Sequence, residues 1–456
     1  MPTSLQTYLA LLPLLTLAAA DAPPADVPQY SLPVGRKLVY SMSGESKNQD
    51  AQGGMTTKGS WQLTVVRENA DGTRRVIVRS ASIYTQNFGP GQSSSSPERV
   101  NLAYADVFPD GRVLPNPSLS MQIELAAALP PLPKDQAQMH KSWSETNDAK
   151  LQMTTFQIKK EDGAEFVFSS TVDGVMNKIY AMTQKATYHF DRKKGVITSN
   201  ESETSQGYGF NTRGTGAVKL ESDQIIPAAE ITTLAEDFDR FFAASQSYQS
   251  LMHQVLKKPD QAEQTLAAAK DLLLKARAAA RTPDVTKELT NNLDQHDSYA
   301  KYEKESAGRF KDVLNKPAAD WATTDVDGKP VKLADFRGKV VVMDFWYRGC
   351  GWCMYAMPQV IRLSQDYKDK GVVVLGMNTD RDDKDARFVI DAMGMKYATI
   401  KATGIPEKYG VQGFPTLLVV DQEGILRDVH VGYSPTLRVD VAKKIDELLA
   451  QTKAGG

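Results

Sequence analysis

Cys350 and Cys353 are the only cysteines in this 456-residue chain, and they stand together as Cys350-Gly351-Trp352-Cys353. With no distant cysteines to cross-link, the fold has to be held by packing, and the pair is kept for chemistry. The run before it, Val340-Val341-Val342-Met343-Asp344-Phe345-Trp346, reads as a buried strand. The stretch after it, Met354 to Lys368, reads as a helix. A strand that hands a cysteine pair to the start of a helix is the geometry of a redox-active dithiol.

The thiolate is the attacking species, and a free cysteine titrates near about 8.5, so a working one must be lowered. Unpaired N–H groups and the helix dipole at a helix N-terminus do this. Cys350 falls there and is the expected nucleophile; Cys353, one turn later, is the expected resolving thiol. Arg348, just upstream, is either a second influence on Cys350 or a solvated loop charge. A zinc site would need two further ligands at recognisable spacing. The five histidines (His140, His189, His253, His296 and His430) are scattered singly, and His430 sits in an expected strand with no partner ligand expected nearby. The chemistry therefore points to dithiol exchange without a metal or organic cofactor.

A net charge of −1 with no long basic run argues against nucleic acid as a partner. The apolar stretch Tyr8 to Ala20 is too short to span a bilayer and ends in small-x-small sequences, so residues 1–22 are expected to be an export signal, although no Lys or Arg precedes Arg36. No cysteine follows it, so no bacterial lipid anchor is expected. Residues 23–34, with Pro23, Pro24, Pro28 and Pro33, read as a linker.

Residues 35–230 read as a β-rich domain. Alternation appears in Trp61–Val65, Arg75–Arg79 and Ala164–Phe168, with turn signals at Asp71-Gly72, Asp110-Gly111, Asp162-Gly163 and Lys194-Gly195. This suggests an antiparallel sheet or curved half-barrel with one short covering helix over Leu119–Leu129, able to hold an apolar ligand or a partner chain. Gly89 to Pro97 reads as a mobile loop. Residues 231–314 read as three helices, Ile231–Leu256, Asp260–Arg281 and one opening at Thr282-Pro283, forming a spacer or a bundle, with a dimerising arm as the alternative. Tyr248, Tyr299 and Tyr302 are taken as packing residues. Residues 315–456 return to alternating α/β character, with strands expected at Val340–Phe345, Val372–Met377, Thr416–Val420 and Leu426–Val431.

These last residues resemble a known family. Val342-Met343-Asp344-Phe345-Trp346 followed by Cys350-x-x-Cys353 is similar to the thioredoxin superfamily. Asp325-Val326-Asp327-Gly328-Lys329, Leu333 to Lys339, Met357-Pro358 and Tyr409 to Thr416 resemble its exported TlpA/ResA-type, redoxin or AhpC/TSA-like branch. The resemblance covers the C-terminal domain only. It implies a thioredoxin-like fold with an extra helix and strand between Asn378 and Gly404. It implies that Gly413-Phe414-Pro415 carries the family's cis-proline and aligns a substrate strand. It also implies that Asp344, six residues before Cys350, is the buried aspartate that relays a proton to or from the resolving thiol.

Departures from the branch are informative. Ala356 stands where the branch usually has Glu three residues after the second cysteine, so that carboxylate's task is absent or falls to Asp344. The Gly351-Trp352 dipeptide leaves oxidant and reductant open, and Trp352 is expected beside the thiols as a docking surface or a cap. Tyr347 and Met343 occupy the positions where peroxiredoxins place Thr and Pro, which argues against peroxidase activity. The chain is thus expected to be an exported thiol–disulfide oxidoreductase working on protein thiols and disulfides with an upstream redox protein. Two alternatives stand beside it: a disulfide isomerase dimerised through the N-terminal domains, and a non-enzymatic ligand-binding or redox-sensing envelope protein.

Overall fold

Alternating apolar and polar residues build a single twelve-stranded antiparallel sheet in the N-terminal half of the computed structural model. The structure describes residues 27–49, 53–89, 91–114, 122–139, 142–147, 152–207 and 211–454. The expected signal at 1–22 and His140 lie outside them. The sheet comprises β1 (Arg36–Asn48), β2 (Gly54–Glu68), β3 (Arg74–Gly89), β4 (Gln92–Ser95), β5 (Arg99–Val107), β6 (Val113–Leu114), β7 (Ser142–Asn147), β8 (Gln152–Glu161), β9 (Glu165–Gly174), β10 (Thr183–Asp191), β11 (Val196–Gln206) and β12 (Thr212–Ile225). Helices α1 (Gln122–Ala128), α2 (Gln136–Met139) and α3 (Val175–Ile179) interrupt it.

Strand order is β6-β5-β3-β2-β1-β12-β11-β10-β9-β8-β7, with β4 paired to β3. At about 4.8 Å per strand a flat sheet of this width would span roughly 50 Å. Yet Val107 of β5 and Trp143 of β7 share one buried cluster, so the sheet must curve around it. Leu125, Ala128 and Leu129 at α1 fill the concavity together with Tyr40, Phe166, Phe168 and Phe190. Farther along the same face the side chains shrink and turn polar at Gly44, Ser170, Ala186, Ser202 and Gly216, lining an open polar cleft. The apolar end is therefore filled by the chain itself rather than left for an apolar ligand.

Two expectations change here. From Val27 onward the segment read as a linker packs into the sheet: Val27, Tyr30 and Leu32 are buried, and the Ser31 N–H donates to the Gly195 carbonyl at 3.0 Å. Gly195, at φ +65°, accommodates this, because a Cβ there would lie 2.7 Å from the Ser31 nitrogen. The Gly/Ser-rich stretch read as a mobile loop contains β4, which pairs with β3 through Thr85↔Ser95 and extends the ribbon.

Three long helices follow: α4 (Ala228–Lys257), α5 (Ala262–Ala279) and α6 (Pro283–Lys311). Thr282 and Pro283 open α6 as the sequence suggests, but the Thr282 hydroxyl donates to Asp237 instead of capping its own helix. Asp237 is buried and also accepts the N–H groups of Arg281 and Thr282. It thereby ties the middle of α4 to the start of α6. Tyr248 is half-buried and bonds His296, whereas Tyr299 and Tyr302 point into solvent and pack against little.

The bundle is more than a spacer. Its upper end, with Ile231, Phe238, Phe241 and Phe242, covers Val66 and Ile77 on the outer face of the sheet. Its lower end, with Met252, Val255, Leu256 and Phe310, shares a core with Trp321, Phe345, Tyr409 and Val429 of the C-terminal domain. Each large side chain buried this way stabilises the arrangement by about 1.5–3 kcal/mol.

The C-terminal domain holds the hairpin β13 (Ala322–Thr324) and β14 (Pro330–Lys332), and then β15 (Val340–Trp346), α7 (Gly351–Asp366), β16 (Val372–Asn378), α8 (Asp383–Met393), β17 (Ala398–Lys401), β18 (Thr416–Val420), β19 (Leu426–Val431) and α9 (Leu437–Ala454). The sheet order is β17-β16-β15-β18-β19, with β15 parallel to β16 and antiparallel to β18. Every residue of β15 is buried, as expected of a central strand covered on both faces. Helix α8 and strand β17 fall where the extra elements were expected. Asp325-Val326-Asp327-Gly328 forms the β13–β14 turn, with the Asp325 carboxylate accepting the N–H groups of Asp327 and Lys329. Among the described residues no helix is long and apolar enough to cross a membrane.

Asp237→Ala strands three donors in the interior of the bundle. It is expected to lower unfolding free energy by about 3 kcal/mol or more, read from a urea midpoint with unchanged slope. A shift within experimental error would remove Asp237 from its place as the tie between α4 and α6.

Candidate redox site

The strand-to-helix handover is built as the sequence indicates. Strand β15 ends at Trp346, and the loop Tyr347 to Gly349 leads to Cys350, the N-cap of α7. The Cys350 sulfur accepts the Cys353 N–H at 3.1 Å, which places it at the unpaired N–H groups opening the helix. Cys350 and Cys353 form a disulfide. The first retains 7% exposure and the second 1%, so Cys353 faces inward.

The loop is pinned from below. Both Asp380 carboxylate oxygens accept the Arg348 N–H, and the Asn378 amide donates to Asp380 at 2.8 Å. The Arg348 guanidinium pairs with Asp385 at 2.7 Å and lies over the Phe388 ring at 4.2 Å. Arg348 is thus not a solvated charge; it anchors the loop to α8.

Asp344 is 2% exposed. Side chains alternate along a strand, and its neighbours fix which face it takes. Val342 packs with Ala356 and Val360 of α7, and Trp346 with Cys353 and Met357. Asp344 lies between them on the face beneath α7. Its partner across β16 is Gly376, where a Cβ would sit 3.0 Å from the Trp346 indole nitrogen and 3.3 Å from the Tyr397 ring. A glycine is needed there for the indole and phenol to close over the carboxyl. Burial pushes Asp344 up to about 7. Tyr397 is driven well above its ordinary value by burial first and by the Asp344 charge second. Ala356, at the position where the branch usually carries Glu, is packed against Val340 and Val342.

The Phe414-Pro415 bond is cis. Pro415 is buried, the Gly413 carbonyl accepts the Thr416 hydroxyl at 2.8 Å, and the Pro415 carbonyl accepts the Gly432 N–H at 2.8 Å. Phe414 packs with the cluster that contains both cysteines and meets Tyr347 edge to face at 5.4 Å. Trp352 is 61% exposed and stacks on Tyr433 at 5.6 Å, with Tyr355 completing the group. It therefore forms an aromatic shelf beside the sulfurs and leaves covering them to other residues.

Several neighbours were not legible in the sequence. Tyr433 follows the last strand, far from the cysteines in the chain. Met176, Ile179 and Tyr180, from α3 and the residue after it, pack into the cysteine cluster from the N-terminal sheet. His430, expected to lack a partner, bonds Asp428 at 3.0 Å, and Lys257 of α4 reaches the same carboxylate at 3.2 Å. Among the described residues no group of three or more His, Cys, Asp or Glu side chains could hold a metal ion.

Comparison with known proteins decides the family. The redoxin family model matches residues 310–446. Thiol-disulfide oxidoreductase ResA of Bacillus thuringiensis is 31% identical over 128 residues, covering 28% of this chain and 74% of that protein. The chain belongs to the redoxin family through its C-terminal domain. The thioredoxin-like protein YneN of Bacillus subtilis is 30% identical over 137 residues, or 29% of this chain and 79% of that protein. Among solved structures, the thioredoxin domain of a thiol-disulfide oxidoreductase from Bacteroides vulgatus is 29% identical, covers 29% of this chain and 97% of its own, and gives a TM-score of 0.27. The redoxin domain makes the chain an enzyme of the thiol–disulfide oxidoreductase class.

The buried carboxyl makes stability depend on pH. Asp344 keeps its proton up to about pH 7 in the folded redoxin domain, whereas the unfolded chain releases it near the ordinary 3.8. Its contribution to stability is fully present in acid and is lost as pH rises through that interval. Asp344→Asn, neutral throughout, is expected to gain in urea midpoint over the parent between about pH 4 and about pH 7, and to gain no further above it. An equal difference at both ends of the range would show that Asp344 is not a buried neutral acid.

Proposed function

We propose that this chain is an exported thiol–disulfide oxidoreductase that exchanges its Cys350–Cys353 disulfide with protein thiols and disulfides. The observation that carries the reading is the position of the Cys350 sulfur at the opening N–H groups of α7, with the buried Asp344 on the sheet face beneath the same helix. Export rests on the apolar Tyr8–Ala20 stretch and the small residues that close it.

In the reductive direction the Cys350 thiolate attacks one sulfur of a substrate disulfide. The substrate S–S bond breaks, its second sulfur leaves as a thiolate and takes a proton, and the first remains bonded to Cys350. Cys353 gives its proton to Asp344 and attacks the Cys350 sulfur. The mixed disulfide breaks, the first substrate sulfur leaves as a thiolate and takes a proton, and the Cys350–Cys353 bond reforms. Two electrons have passed to the substrate, and a partner redox protein returns them. A carboxyl titrating near 7 is matched to accept a proton at neutral pH and release it again. Gly413, Phe414 and Pro415 align the substrate strand, and Trp352 offers an aromatic surface beside it.

Replacing Cys353 with serine removes the resolving step. That variant is expected to accumulate protein adducts on Cys350 that dithiothreitol releases, and Cys350→Ser is expected to abolish both adducts and insulin reduction. A folded Cys353→Ser chain that captures nothing would overturn exchange with proteins and favour redox sensing.

A further inference from the structure

The N-terminal sheet reaches across to the redox site. The β9–β10 connection carries α3 and Tyr180, and their side chains enter the cluster of Cys350, Cys353, Trp346, Met354 and Phe414. Ile179 is fully buried there although it belongs to a hairpin tip of another domain. It packs with Ala386 and Val389 of α8 as well as with the cysteine cluster. The Tyr180 hydroxyl lies over Gly351, the residue between the two sulfurs in the chain, 3.8 Å from where a Cβ would stand.

The hairpin tip is shaped for this contact. The Met182 N–H donates to the Asn177 carbonyl at 2.8 Å, and the Asn177 amide donates to the Met182 carbonyl at 3.2 Å. Between them Ala181 takes φ +48°, a left-handed conformation that non-glycine residues adopt uncommonly. The turn therefore has a fixed shape and presents Met176, Ile179 and Tyr180 as one apolar surface.

Disulfide exchange needs an incoming sulfur to approach Cys350 closely, with access as one determinant of rate. A nucleophile with 7% exposure, in a cluster that another domain's isoleucine and tyrosine enter and with that tyrosine over the adjoining Gly351, does not meet that need. We propose that the α3 turn is a built-in cover over the redox site, and that it must lift away before Cys350 reacts with a protein. The inference rests on the exchange reading for its purpose but not for its geometry. The cover lies on apolar contacts alone at Ile179, so losing that burial is expected to shift the balance of open and closed forms by about tenfold or more.

The test uses the full reduced chain and two variants, Ile179→Ser and Tyr180→Ala, with Lys178→Ala, exposed on the same turn, as control. Tyr180→Ala leaves the Ile179 packing in place, so it serves if the first variant folds poorly. Two rates are followed: modification of Cys350 by a bulky polyethylene glycol maleimide, and reduction of insulin by dithiothreitol through the chain. The expected result is Cys350 modification about tenfold or more faster in both variants and unchanged in the control. Modification equally fast in parent and variants overturns the cover, and the exchange reading then stands or falls on insulin reduction. Faster modification with no insulin reduction by any form upholds the cover and removes the exchange reading instead.

Discussion

The apolar seam between the helical bundle and the redoxin domain governs where everything else falls. Phe310, Leu256 and Val255 from α4 and α6 share a core with Phe345 of the central strand and with Tyr409. At the far end of the same helices, Phe238, Phe241 and Phe242 grip the outer face of the N-terminal sheet. Two such seams on one rigid bundle fix the sheet and the redoxin domain relative to each other. That is why a hairpin tip on the sheet arrives at the cysteines at all. The chain leaves the sheet through α4, passes into the redoxin domain, and meets the sheet again at α3.

Within the redoxin domain the site is a junction between two demands. The core strand must be apolar to sit between covered faces, and the exchange proposed above uses a titrating group behind the sulfurs. Asp344 meets both by being buried without an opposite charge, so that it stays neutral to near pH 7. Gly376 and Tyr397 show that the surroundings are arranged around that carboxyl, since the space for the ring exists only because the facing strand residue has no side chain. Ala356 removes the second carboxylate that the branch usually places on α7, which leaves Asp344 alone under the helix among the described acids.

What could be read from the sequence was local. The valine run of β15, the cysteine pair and the Thr282-Pro283 start of α6 announce themselves within a few residues, because strand burial and helix starts are short-range matters. The four turn signals of the sheet fell at hairpin turns for the same reason. The errors came from partners distant along the chain. Residues 27–32 look like a linker until Gly195 and Pro109 receive their hydrogen bonds. Arg348 reads as a free charge until Asp385 is brought beside it, and nothing near His430 and Asp428 in the chain says that Lys257 of α4 will reach the same carboxylate. Ile179 is one isoleucine in a polar turn, and no local pattern says that it joins the buried cluster around the cysteines of another domain.

Arg348 has one more consequence. Its guanidinium pairs with Asp385, and the groups that stand together near the sulfurs are the rings of Tyr347 and Phe414 and of Trp352, Tyr355 and Tyr433. In the exchange proposed above, these rings offer a partner their faces and their shape. A surface of that kind discriminates by the fit of what is laid against it, after arrival, instead of by drawing its partners in from a distance.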